Sequence, residues 1–143
     1  LDTRDLLIHG LDLNASVAWS DPKILRNSTH KNSKNNQFPG VATRRAKLGL
    51  DYAPGERWFV GLSADYASKP YNSLENIERR CSSSCYGGID GYLIFNARTG
   101  YKITPQLTAA LGVDNLSDEI YFDGHPYQRR TFFCNLKYVF SED

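Results

Sequence analysis

Hydrophobic and polar residues alternate with a period of two along most of this chain, and no stretch carries the 3.6-residue stripe of an amphipathic helix. Six segments show the alternation, at 11–19, 45–52, 58–66, about 92–101, 107–114 and 131–140. The pattern predicts an all-β, antiparallel up-and-down meander of six strands. Each strand runs to about nine or ten residues, the length of a tilted membrane-crossing strand and longer than the usual soluble one. The connections differ systematically. Segments 53–57 and 102–106 are tight turns that each contain a proline, whereas 20–44, 67–91 and 115–130 are long and polar. In a meander, successive connections lie at opposite ends of the sheet. One end therefore carries short turns and the other long loops, as in outer-membrane barrels.

The two faces of the predicted sheet differ as sharply as its two ends. One parity runs through Leu11, Leu13, Ala15, Val17 and Trp19, then Ala46, Leu48, Leu50 and Tyr52, and continues so to Leu136, Tyr138 and Phe140. None of these roughly 28 positions is charged, where the overall 23% charged composition would place about six. The other parity holds Asp12, Arg45, Lys47, Asp51, Asp65, Arg98, Asp114 and Lys137, interspersed with Gly49, Gly61, Gly100 and Gly112. Of these, Lys47, Asp51, Asp65, Arg98 and Asp114 are expected to form a wall network along a wet or plugged lumen. The aromatics of the uncharged face sort by height. Trp19, Tyr66 and Phe132 fall at the long-loop end, and Tyr52, Trp58, Tyr101, Tyr138 and Phe140 at the short-turn end. Tyr and Trp favour a membrane–water interface, because the ring is apolar while its O–H or N–H seeks water. Two aromatic girdles flanking an aliphatic band predict a transmembrane β-barrel wall.

Composition narrows the function classes. With 17 basic and 16 acidic residues in 143, the formal net charge is +1, so there is no general attraction for nucleic acid. No apolar run approaches the ~18 residues that a spanning helix needs. No Ser/His/Asp or Cys/His arrangement, Gly-rich phosphate loop or metal-ligand spacing stands out, so neither an enzyme nor a cofactor is expected. His9, His30 and His125 fall in three separate connections. Cys81 and Cys85 bracket three serines in a polar loop. That spacing suits a small disulfide-closed loop, with free thiols or two metal ligands as the other readings. The chain has no Met and no apolar leader, and six strands are too few to close a membrane barrel. It is therefore expected to be a segment of something larger, with 1–10 serving as the short turn from a preceding strand.

Three stretches carry a family resemblance. Phe38-Pro39-Gly40 leading into Arg44-Arg45-Ala46-Lys47-Leu48 resembles the Pro-Gly entry to a late barrel strand of TonB-dependent outer-membrane receptors. Val113-Asp114-Asn115-Leu116-Ser117-Asp118-Glu119-Ile120-Tyr121 is similar to that family's Asn-Leu-x-Asp-x-x-Tyr motif. Arg130 to Phe140 resembles its closing strand, which the barrel-assembly machinery reads, although Ser141-Glu142-Asp143 follow the final aromatic here. Asn115 and Asp118 are expected to cap local backbone where the strand leaves the membrane. The resemblance implies a bacterial outer-membrane receptor for active uptake of a scarce nutrient, foremost a ferric siderophore. It also implies the rest of the barrel, a plug, and contact with TonB through an N-terminal part that this chain lacks. Substrate contacts are expected from the arginine pairs Arg44-Arg45, Arg79-Arg80 and Arg129-Arg130, by charge and forked hydrogen bonds, with Arg44, Arg79, Arg80, Arg129 and Arg130 foremost, and from the rings of Tyr71, Tyr86, Tyr121 and Tyr127. Basic loop residues equally suit lipopolysaccharide phosphates. A soluble lipocalin-like barrel, with the uncharged face turned inward around a ligand, has the same parity and is the alternative.

Overall fold

The computed structural model describes residues 2–3, 8–77 and 86–140. Arg79, Arg80, Cys81 and Cys85 lie outside the described residues, as does the tail 141–143. Seven strands form one antiparallel sheet in chain order: β1 (Asp2–Thr3), β2 (Leu11–Trp19), β3 (Arg44–Tyr52), β4 (Trp58–Ala67), β5 (Tyr92–Lys102), β6 (Leu107–Asp114) and, after a small hairpin, β9 (Thr131–Tyr138). The hairpin pairs β7 (Phe122–Asp123) with β8 (His125–Pro126) inside the last long loop. A single turn of 3-10 helix, Lys31–Ser33, is the only helical piece among the described residues.

All six expected strands are present, with some ends moved by one or two residues. β9 ends at Tyr138 rather than Phe140, although the Val139 N–H still donates to the Gln106 carbonyl at 2.9 Å. Asp2–Thr3 is strand rather than turn, paired with Asn14 and Leu13, so a seventh strand begins the sheet where a connection was expected. Two residues are too few to show alternation, and only their pairing reveals them.

Register explains why the two parities separate. Leu13, Leu50, Leu62, Ala97, Val113 and Phe132 lie in one row across the sheet, and Asp51, Gly61, Arg98, Gly112 and Phe133 lie in a row on the opposite face. Side chains alternate along each strand, so one fixed register keeps every row on its own side. The apolar rows stay bare. Val17, Leu48, Leu62, Phe95, Leu111 and Leu136 are all exposed, and no second layer covers them among the described residues. The buried apolar residues are few (Ile24, Ala42, Ala67, Tyr121 and Phe122), and all lie in or beside the long loops. A soluble domain buries its uncharged face; this sheet presents it.

The aromatics of the uncharged face stand near the two ends of the strands. At the short-turn end Tyr52 meets Trp58 edge-on at 5.7 Å, Tyr138 meets Phe140 at 4.8 Å, and Tyr101 stands opposite Trp58 across β4 and β5. At the other end Trp19 is 84% exposed. Trp58 and Tyr66, at the two ends of β4, are separated by about 26 Å along the strand, or about 20 Å of height at the usual barrel tilt. One charge joins this face. β3 begins one residue earlier than expected, and its register pairs Arg44 with Trp19 at the loop-end rim.

Candidate functional site

The polar face of the sheet forms a hollow of about 440 Å³, lined by Asn14, Lys47, Asp51, Ser63, Asp65 and Arg98 among others. Four of its charges form two pairs. Lys47 Nζ lies 2.9 Å from Asp65 Oδ1, and Arg98 donates to Asp51 Oδ1 at 2.8 Å. The Asn96 amide donates to Ser63 Oγ at 3.1 Å and to Asp65 Oδ2 at 3.4 Å. The Asp51–Arg98 pair reaches from β3 to β5 across β4, and Gly61 is what lets it pass. A Cβ on Gly61 would lie 2.6 Å from Asp51 Oδ1 and 2.7 Å from Arg98 Nε. Solvated pairs of this kind contribute about 0–1 kcal/mol each, so their role is to set the wall's surface rather than to hold the fold.

Above the sheet, the three long loops are tied into one layer. In the first, the Ile24 N–H donates to Asn36 and the Asn35 N–H donates back to Ile24, both at 2.9 Å, which extends the β2–β3 hairpin upward. The first and second loops join through reciprocal bonds: the Gln37 N–H donates to Asn76 Oδ1 at 2.7 Å, and Asn76 Nδ2 donates to the Gln37 carbonyl at 3.0 Å. Gly40, at φ 77°, donates its N–H to the Tyr71 carbonyl at 2.8 Å. The second and third loops join where Gly87 and Asp90 donate to the carbonyls of Gly124 (2.7 Å) and Phe122 (2.8 Å). Tyr86 packs edge-on against Phe122 at 5.6 Å.

The third loop is built on Asn115, which is 3% exposed with φ 53°. Its N–H donates to Asn96 Oδ1 at 3.0 Å, and its side-chain NH₂ donates to the carbonyls of Glu119 (2.8 Å) and Gln128 (3.2 Å). Its Oδ1 accepts from the Glu119 N–H at 2.9 Å. A short amide side chain in the left-handed region thus ties both limbs of the loop together, while its backbone N–H anchors them to Asn96 of β5. Asp118, at φ 58°, clamps the far limb. Its carboxylate accepts the Arg130 N–H at 3.0 Å and a forked pair of bonds from the Arg129 guanidinium. The Arg130 N–H first, and Arg129 after it, hold the Asp118 carboxyl below its ordinary value of 3.8. A lowered carboxyl pKa stabilises the loop above the unfolded value and loses that contribution as pH falls through the folded one. The clamp is therefore expected to persist as pH is lowered to 3.8 and to open only below it. The Asp118 carboxylate resonance followed by NMR checks this, and a midpoint above 3.8 would refute it.

Three tyrosines form a column from strand to loop surface. Tyr92, Tyr121 and Tyr127 follow one another with ring centres 4.7 and 4.9 Å apart, the second pair stacked at 26°. Tyr121 is the buried middle of the column, and burial first, then its tyrosine neighbours, push its phenol well above 10.0. Tyr127 forms the exposed top.

The expected substrate residues thus meet different fates. Tyr121 is enclosed, Tyr127 is open, and Tyr71 is on the edge of exposure in the second loop. Arg129 is engaged by Asp118 while Arg130 beside it presents an exposed side chain. Arg44 points with Trp19 to the apolar side, whereas its neighbour Arg45 falls on the polar side, in a cleft with Tyr92, Asp90 and Asp123. Arg45 is expected from the sequence as one of an arginine pair with Arg44, whereas Tyr92 is not expected at the site, although its parity places it on the same charged face as Arg45.

Known proteins share this construction. The ferric citrate transporter FecA, in its unliganded crystal form, superposes over 92% of this chain and 21% of its own with a TM-score of 0.78 at 25% identity. The crystal structure of the siderophore receptor PiuA from Acinetobacter baumannii superposes over 93% of this chain and 18% of its own with a TM-score of 0.69 at 20% identity, and shares the fold. In sequence, a probable TonB-dependent receptor, BfrD, of Bordetella pertussis is 25% identical over 111 residues, and the probable TonB-dependent siderophore receptor PiuA of Acinetobacter baumannii is 23% identical over 120. Each match takes in 78% of this chain, which spans about 15% of the length of these relatives. The model of the family described as "TonB dependent receptor-like, beta-barrel" matches residues 5–116. With its bare apolar side, paired inner charges and loops woven at one end, this chain belongs to the TonB-dependent receptor β-barrel family.

Proposed function

We propose that the chain forms barrel wall and extracellular loops of an outer-membrane receptor that imports a scarce nutrient, foremost a ferric siderophore, on energy relayed through TonB. One observation carries this reading over a lipocalin-like one: the hollow lies on the charged face, and the uncharged face is outside. A lipocalin-type site needs the reverse curvature. In the assembled receptor the uncharged rows meet lipid and the loop rim meets lipopolysaccharide. The barrel-assembly machinery reads the β9 end, and the inner charges face the plug and lumen water.

The substrate class rests on the named relatives and on the mouth of the wall. Arg45 and Arg130 offer cations, and Tyr127 offers an exposed ring on a braced column, suited to an anionic chelate with flat donor groups. Nitroxide labels at Leu50 and Leu111 of the full receptor in bilayers test the orientation: collisions with dissolved oxygen should exceed those with a water-soluble relaxant. The reverse order would defeat the transmembrane reading. For the substrate, Arg45→Gln with Arg130→Gln should weaken ferric-siderophore binding about tenfold, and unchanged affinity would remove these residues from the site.

A further inference from the structure

Charge is segregated along this chain in a way the near-neutral total conceals. From Pro22 to Leu50 there is no acidic residue in 29 positions, where an even spread of the 16 acids would place about three. Seven of the 17 basic residues fall in this stretch: Lys23, Arg26, Lys31, Lys34, Arg44, Arg45 and Lys47. Lys23 is neutralised by Asp21 at 2.7 Å and Lys47 by Asp65. Arg26, Lys31 and Lys34 have no carboxylate within ion-pair distance among the described residues.

These three cations share one place. They line a cup of about 450 Å³ at the tip of the first loop, together with Asn27 and Leu25, and no acidic residue lines it. The tip is ordered by local bonds. Asn27 Oδ1 accepts the N–H groups of Thr29 (3.1 Å) and His30 (2.9 Å), and Ser33, which is buried, closes the turn by donating its hydroxyl to the His30 carbonyl at 2.7 Å. Leu25 beside the cations is 79% exposed. Holding three like charges around one hollow costs energy unless an anion fills it.

We infer that this cup binds a phosphorylated glycolipid headgroup of the surrounding outer leaflet, a lipopolysaccharide phosphate. The inference rests on the membrane orientation proposed above. Composition selects a lipid phosphate over a free one, and the reach of the loop allows it. Trp19 marks the interface, and Arg26 follows it by seven residues, at most about 23 Å of extended chain. That reach covers the headgroup layer, about 5–8 Å thick, and the sugars above it. Arg44, paired with Trp19 on the lipid side, adds a cation at the lower rim. An exposed leucine among lysines suits an amphiphile and does nothing for a free hydrophilic anion.

The test uses the full receptor, purified in detergent and titrated with diphosphoryl lipid A, with the same lipid stripped of its phosphates, and with inorganic pyrophosphate. Diphosphoryl lipid A should bind, and the stripped lipid and pyrophosphate should bind at least tenfold more weakly. The Arg26→Gln, Lys31→Gln, Lys34→Gln variant should lose affinity by on the order of a hundredfold, at roughly fivefold per cation. Lys31→Arg with Lys34→Arg should retain it. All three positions are exposed, so the receptor should fold normally. Pyrophosphate binding as tightly as the lipid, stripped lipid binding equally well, or a triple variant of unchanged affinity would each overturn the inference and leave the membrane orientation standing. Nitroxides at Leu50 and Leu111 that report water would overturn both.

Discussion

Replacing Asn115 with alanine is expected to cost the third loop about 3–5 kcal/mol of local stability. The side chain removed is the shared partner of the Glu119 and Gln128 carbonyls and of the Glu119 N–H, at a position 3% exposed to solvent. Each buried backbone group left unpaired costs about 1–3 kcal/mol, and the part-buried setting of these groups keeps the sum toward the lower end. Alanine also has to hold φ 53°, which asparagine tolerates better. Amide hydrogen exchange across 116–130 in the full receptor measures the effect, with protection falling at least a hundredfold. Asn115→Gly separates the causes. Glycine accepts the backbone angle freely, so a loss of protection equal to that of alanine assigns the effect to the hydrogen bonds. Unchanged exchange in Asn115→Ala would show that the loop is held elsewhere.

The second large effect concerns the face the sheet presents. Leu62 lies midway between the Trp58 and Tyr66 girdles on the uncharged side and is 51% exposed. Leu62→Arg should destabilise the bilayer-embedded receptor by about 2–4 kcal/mol, the cost of a guanidinium at the midplane of a barrel wall. Asn135→Arg, on the polar side in the row of Ala110 and Gly100, should cost less than about 1 kcal/mol. Denaturant unfolding of the two variants in the same bilayer gives the comparison. Equal costs would mean that the two faces see the same surroundings, which no membrane barrel allows.

Strand placement was legible because the alternation is long and uninterrupted. Leu11–Trp19 and Leu107–Asp114 occur with the bounds expected of them, since each runs from a turn or loop signal to a clear change of pattern. Short elements left no such trace. Asp2–Thr3 and the Phe122–Asp123/His125–Pro126 hairpin are two-residue pieces, defined by partners rather than by periodicity. The candidate site was legible in kind and less so in detail. Arg129 and Arg130 read as an equivalent pair, yet Asp118 engages the guanidinium of the first and only the backbone of the second. That difference depends on a left-handed turn eleven residues upstream. Arg44 and Arg45 also read as a pair, and strand alternation sends them to opposite sides of the wall.

By itself the amino-acid order determined the strand period, the separation of a chargeless face from a charged one, and the heights of the aromatic rings. All of these follow from residues near one another in sequence and from the fixed two-residue repeat of an extended chain. The three-dimensional arrangement alone decided which way the sheet curls, which arginines remain open, and how the loops interlock. Those outcomes depend on partners such as Gln37 and Asn76, which are 39 positions apart and joined by reciprocal bonds. Contacts across such separations form only after the strands between them have paired, so no local pattern announces them.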